Sequence, residues 1–213
     1  MLHSGGHVLE DQQIIPSSKN TPIEAAEGEI VESFYLSIPG DCLAMTNSGK
    51  EMVEPTPPGI PVLSEPEISN NLVALMKVRD GDGNLIGLAS QLESFGEAEP
   101  TDEGPPAWDT YATLMIPGRG TLLLHHAAVM PDAARAVVGP IMAAKEDWQG
   151  KITFVTSVGP LANGRGRIAG GTGEFEGLTG SFAGIPSFTK FTAAGDMSLD
   201  PVELRLFKET GDG

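Results

Sequence analysis

Leu72-Val73-Ala74-Leu75-Met76-Lys77-Val78, then Arg79-Asp80-Gly81-Asp82-Gly83-Asn84, then Leu85 through Phe95: this stretch decides the fold. An apolar run of strand length meets a cluster of turn residues and passes into a second run, which is the signature of a β-hairpin. The pattern repeats downstream, where Trp108–Ile116 and Thr121–Val129 flank the turn Pro117-Gly118-Arg119-Gly120. Ile30–Ile38 precedes both hairpins as a half-buried strand closed by Pro39-Gly40. Lys151–Val158, Arg167–Ala169, Gly180–Ala183, Phe188–Ala193 and Val202–Phe207 follow as further strands. Short strands at regular spacing with glycine turns specify a sandwich or barrel, not a parallel sheet with crossover helices.

Between these runs the chain is punctuated differently. Residues 1–20 are polar and aperiodic and read as a flexible leader before a single β domain over 21–213. Thr21-Pro22-Ile23-Glu24 has the form of a capping box, which predicts a helix of about two turns ended by Gly28. Residues 47–71 carry Pro55, Pro57, Pro58, Pro61 and Pro66, too many missing ladder donors for a central strand, and are expected to form a long loop or lid. Glu97–Ala107 is a second, acidic and proline-rich loop. Pro131–Glu146 is alanine-rich and helical in pattern, with Gly139-Pro140 expected to split it, and forms a helical insertion over 131–147.

Composition narrows the partners. Thirteen basic against 29 acidic residues give a formal charge of −16, which repels phosphate backbones and anionic headgroups. Nucleic acid and membrane surfaces are therefore not expected as partners. No apolar run approaches the roughly 18 residues of a membrane span. The first residues show no secretory pattern, and the single cysteine, Cys42, fits a reducing compartment, so the expected location is cytoplasmic. Cys42 itself reads as a small buried apolar residue.

Several motifs dissolve on inspection. Asp80-Gly81-Asp82-Gly83-Asn84 begins like a calcium loop, but Leu85 stands where glycine is needed and Gln91 where a bidentate glutamate is needed. Gly164-Arg165-Gly166-Arg167 lacks the helix that a dinucleotide fingerprint requires. His125-His126 are adjacent on a strand and point to opposite faces, so they cannot share one ion. No metal and no cofactor are expected.

The glycine run Gly170-Gly171-Thr172-Gly173-Glu174-Phe175-Glu176-Gly177-Leu178-Thr179-Gly180-Ser181-Phe182 predicts tight bends between strands, with Gly171 and Gly173 at positive φ or too close to backbone for a side chain. This run resembles the allene oxide cyclase and dirigent barrel superfamily, in which a similar glycine motif joins two late strands. The resemblance extends over roughly residues 72–207 and lacks the paired aspartates of plant dirigents. It implies an all-β, eight-stranded antiparallel barrel with one short helical excursion, a cavity for one small ligand, and a homodimer or homotrimer.

Strand parity then sorts the candidates. Ala89, Gln91, Glu93 and Phe95 share one face, and Leu88, Ser90, Leu92 and Ser94 the other. Gln91, Glu93 and Phe95 read as a cavity wall, against the alternative of a solvated outer face. Trp108 and Thr110 oppose Asp109, Tyr111 and Thr113. The resemblance implies a cofactor-independent isomerase or cyclase acting on a small apolar molecule, of the kind found among polyketide or terpenoid intermediates. Glu93 is the chosen acid or base, since burial raises a carboxyl's pKa. Tyr111, His125 and His126 are the hydrogen-bonding candidates for catalysis. Gln91, Phe95, Trp108, Phe154 and Arg165 are the candidates for holding substrate, Arg165 at a barrel mouth. Two other readings stand beside this one: a dirigent-like module that binds an apolar ligand without transforming it, and a β structure filled by its own side chains.

Overall fold

The alternation of small or apolar with polar residues along each run becomes alternation between two faces of one curved sheet. The computed structural model describes residues 14–16, 22–48, 59, 62–65, 71–95 and 108–209. Its elements are β1 (Glu29–Ile38), β2 (Cys42–Ser48), β3 (Val62–Glu65), β4 (Asn71–Arg79), β5 (Leu85–Phe95), β6 (Trp108–Ile116), β7 (Gly120–Ala128), α1 (Asp132–Ala144), β8 (Trp148–Thr153), β9 (Ser157–Gly159), β10 (Gly166–Gly171), β11 (Gly180–Phe191) and β12 (Met197–Glu209). Eight strands close a ring in the order β1, β12, β11, β10, β7, β6, β5, β4, and β4 returns to β1 where Tyr35 lies opposite Arg79. Each pairing around the ring is antiparallel. Closure removes the unpaired edges an open sheet would expose.

The seam of the ring is held by a charge. Asp41, in the turn between β1 and β2, is buried; its carboxylate accepts the Arg79 Nε–H at 2.9 Å and the Ser37 backbone N–H at 2.9 Å. β2 extends β4 beyond that point, and β3 pairs with β2 in parallel. β3 falls inside the stretch read from its prolines as loop. Residues 49–58, 60–61 and 66–70 of that stretch, and Glu97–Ala107, lie outside the described residues.

Other expectations need correction. Residues 22–26 are not helical; they run as a loop into β1, with the Ala26 N–H bonded to the Glu29 carboxylate at 2.7 Å. The Pro22 and Glu24 carbonyls, which a helix would pair within itself, accept from Arg165 instead. Residues 14–16, inside the expected leader, are bonded to the body through Ile15 N–H to Thr153 O and Val155 N–H to Ile15 O, both 2.9 Å. Helix α1 is not split at Gly139-Pro140. Pro140 lies on its exposed side, where water can meet the carbonyl that loses its donor. On the other side Ala134 and Val138, four residues apart, bury against Ile152, Phe154, Phe188 and Phe191 and hold the helix together. Likewise Gly180–Ala183 and the first part of Phe188–Ala193 belong to one strand, β11, which ends at Phe191 and passes Pro186 with irregular register on either side of Phe188.

The two hairpins and the glycine run are as expected. Asp80 caps its own turn, accepting the Asp82 and Asn84 N–H groups at 3.0 and 2.8 Å, so its carboxylate serves the hairpin. Gly173 has φ +64°, and a Cβ there would lie 2.5 Å from the Arg119 carbonyl oxygen. Gly171 packs so closely on Phe175 that a Cβ would lie 2.6 Å from the Phe175 Cβ. Gly171→Val and Gly173→Val are each expected to destabilise by well over the ~1 kcal/mol of an average substitution. Thermal melts check this; an unchanged melting temperature for both would show that the bend is not built on these contacts.

Candidate functional site

The barrel interior divides along its axis. Toward one end Ala89 of β5, Leu114 and Ile116 of β6, and Leu122 and Leu124 of β7 pack with Phe34, Phe175, Phe182 and Leu206 into a filled core. Toward the other end the same strands turn inward Gln91 and Glu93, then Trp108, Thr110 and Ala112, then His126 and Ala128, and there the lumen stays open. Met45, Leu72, Ala74 and Met76 complete one wall, and Phe182, Pro186, Leu199, Val202 and Leu204 the opposite one. The cavity between these walls has a volume of about 90 Å³, several times the ~10–15 Å³ that one water needs. So the barrel is not filled by its own side chains along its whole length.

Three of the polar groups in this lumen form one row across it. Glu93 on β5 stands opposite Thr110 on β6, and Thr110 opposite His126 on β7. All three are buried, Glu93 to 5% and His126 to 6% of full exposure. Adjacent strands are about 4.8 Å apart, so the backbones of Glu93 and His126 stand on the order of 10 Å apart with Thr110 between them. Glu93 Oε1 accepts from Gln91 Nε2, two residues along the same face, and from Thr110 Oγ1 at 3.4 Å. Burial, with a smaller contribution from neighbouring His125, pushes the His126 imidazole down to about 3, so it is neutral at physiological pH. Its Nδ1 lies 2.7 Å from Ser157 Oγ on β9.

The expected parity of β5 is therefore correct: Gln91 and Glu93 face the lumen, and Leu92 and Ser94 face out. Trp108 and His126 also line the cavity. The Phe95 side chain lies outside the described residues. The other candidates are placed elsewhere. Tyr111 and His125 sit on the outer face, because each is one residue from an inward neighbour; Tyr111 is 51% exposed and stacks on the His125 ring at 4.4 Å, and His125 bonds Asp109 at 3.2 Å. Phe154 packs beneath α1 and is not part of the cavity wall. Arg165 does not reach a mouth. It lies behind the β11–β12 wall, bonded to Ser181 and stacked over Phe207, both of which point away from the lumen that Phe182 and Leu206 face. Thr110 and Ser157 are the functional additions. Thr110 was legible from its parity with Trp108. Ser157 was not, since the short β9 reaches the site only by pairing with β7.

Among the described residues no group of three or more His, Cys, Asp or Glu side chains is placed to hold a metal ion, and no helix is long and apolar enough to cross a membrane. No protein-family model matches the chain, and no curated protein matches its sequence. Among solved structures the chain is similar to a nonspecific heme-binding cyclase that catalyses a 4 + 2 cycloaddition during neoabyssomicin biosynthesis. The identity is 14% and the TM-score 0.37, over 87% of this chain and 68% of that one, which makes it a distant structural neighbour.

Proposed function

We propose that this protein is a cofactor-independent isomerase or cyclase that acts on a small apolar molecule by controlling its conformation inside the barrel. The observation that carries this reading is the cavity in the lumen, apolar on most sides and crossed by the row Glu93, Thr110, His126. A flexible chain entering such a space gives up rotational freedom before reaction. Holding its reacting atoms in a near-attack arrangement lowers the barrier by several kcal/mol. The polar row supplies what shape alone cannot, a carboxylate and a neutral imidazole at fixed positions where charge develops in the transition state. A polyketide- or terpenoid-type intermediate with several double bonds has the required flexibility and polarity. On the outside of the same strands Val73, Leu75, Leu92, Tyr111, Met115 and Leu123 are exposed, which supports association as a homodimer or homotrimer.

Isomerisation and cyclisation conserve mass. Incubating the protein with a panel of linear polyenes bearing a reactive carbonyl, without added cofactor, is expected to give products of unchanged mass and altered retention in liquid chromatography with mass spectrometry. Binding without conversion across the panel would instead support the ligand-holding, dirigent-like alternative.

A further inference from the structure

Along β6 the inward residues run Thr110, Ala112, Leu114, and they pass from the cavity into the packed end of the barrel. Thr110 belongs to the polar row and Leu114 is completely buried in the core, so Ala112 stands where the open space stops. It packs against the core cluster that contains Leu114, Leu122 and Phe175, and it also lines the cavity. Phe182 and Leu204 hold the same double position on β11 and β12, and with Ala112 they make a floor. Ala112 differs from the other small residues around the space. Ala74 and Ala128 are 2% and 1% exposed, their surface already taken up by packing. Gly184 has no room to grow, since a Cβ there would lie 2.9 Å from Thr156 Oγ1 and 3.1 Å from His126 Cε1. Ala112 is only half-buried, and its side chain points into the lumen, so the space in front of it is cavity.

An apolar cavity of ~150 Å³ takes one benzene ring, so in a space of about 90 Å³ a few carbons decide what fits. Depth follows from the strand. Thr110 and Ala112 are two residues apart, roughly 6.6 Å along β6, so the room below the polar row is short. We propose that Ala112 determines ligand specificity by setting how many carbons an apolar ligand can extend below a polar group held at the level of Glu93, Thr110 and His126. The ligand class is a small amphiphile that enters apolar end first. Its tail meets Ala112, Phe182 and Leu204, and its polar group stops at the row above them. Of the three floor residues the two large ones are committed to the core or to a wall, and the alanine is the one whose size is free to tune the depth. This deepens the isomerase or cyclase reading by fixing which part of a substrate enters first, and rests on that reading only for the reaction.

The test needs no turnover. The probes are the linear 1-alkanols from butanol to decanol, titrated into the full-length protein by calorimetry. A hydroxyl both donates and accepts, so it can lie at the polar row whichever partner it meets there. Affinity is expected to rise about 4-fold with each added methylene until the tail meets the floor, and to stop rising there. Ala112→Leu adds three carbons to the floor and is expected to bring this cut-off about two to three carbons earlier, with the shorter alkanols bound as before. Ala112→Gly removes one carbon and is expected to move the cut-off about one carbon later. The same cut-off in all three proteins overturns the proposal, as does a series with no cut-off or one in which no alkanol binds. Loss of every alkanol from a folded leucine variant overturns it too, since a raised floor spares the shortest chains. If the leucine variant does not fold, the glycine variant decides: a later cut-off supports the proposal and an unchanged one overturns it. Because the readout is binding alone, it succeeds or fails independently of whether the polyene panel is converted.

Discussion

Arg165→Met is expected to destabilise the protein by about 3–5 kcal/mol, the usual loss when one member of a buried ion pair is removed. The guanidinium is 2% exposed and every face of it is used. NH1 meets the Glu29 carboxylate at 2.7 Å, Nε donates to the Pro22 carbonyl at 2.9 Å and NH2 to the Glu24 carbonyl at 2.7 Å. The cation also sits 3.5 Å from the centre of the Phe207 ring. One side chain therefore ties the loop over 22–29 to the back of the β11–β12 wall. Methionine keeps the apolar stem but leaves two carbonyls without their donor and the Glu29 carboxylate with the Ala26 N–H alone. The pH dependence changes with it. Burial by itself would raise the Glu29 carboxyl, but the Ala26 N–H and Arg165 hold it below its usual 4.5. A carboxyl depressed on folding adds stability above its unfolded value and loses it as pH falls through the folded one. Urea melts from pH 7 down to pH 3 are thus expected to converge for the two proteins as acid is added. A loss below about 1 kcal/mol at pH 7, within the range of an average substitution, would mean that the loop is held by its apolar contacts.

Glu93→Gln and Glu93→Leu are expected to cost about 10²-fold or more in turnover, the scale of a positioned acid–base group. The glutamine variant keeps the shape and the hydrogen bonds to Thr110 while removing the charge; the leucine variant removes both. Neither should abolish folding, because the residue borders an open space and an added apolar group has room. Affinity for an apolar ligand is expected to change by a few-fold at most for glutamine and to rise for leucine. Full activity in both variants would take Glu93 out of the chemistry. Catalysis would then rest on cavity shape and on the Thr110 and His126 end of the row.

Leu72 through Phe95 shows how far local pattern reaches. Two apolar runs around Asp80–Asn84 specify a hairpin, and alternation along Leu85–Phe95 assigns Gln91 and Glu93 to one face, because a strand's side chains have a period of two whatever surrounds it. The glycine run carries its geometry locally as well. A residue at φ +64° or pressed against a carbonyl admits no side chain, and the composition records it.

Alternation does not say which face is inside. Tyr111 and His125 looked as useful as Thr110 and His126 until the ring closed, since only curvature makes one face a lumen. The Gly139-Pro140 signal failed for a related reason. Pro140 is locally disruptive, but packing of Ala134 and Val138 against Phe154 and Phe188 holds the helix together across the missing donor. Arg165 and Ser157 depended most on the tertiary structure. Glu29 lies 136 residues before its arginine and His126 31 residues before its serine, separations over which no periodicity carries information. What the sequence determined alone was set by bonded geometry and nearest neighbours: the strands, the turns and the pairing of faces. What the tertiary structure decided was which face encloses space and which distant polar groups meet there, because both depend on closing β4 onto β1.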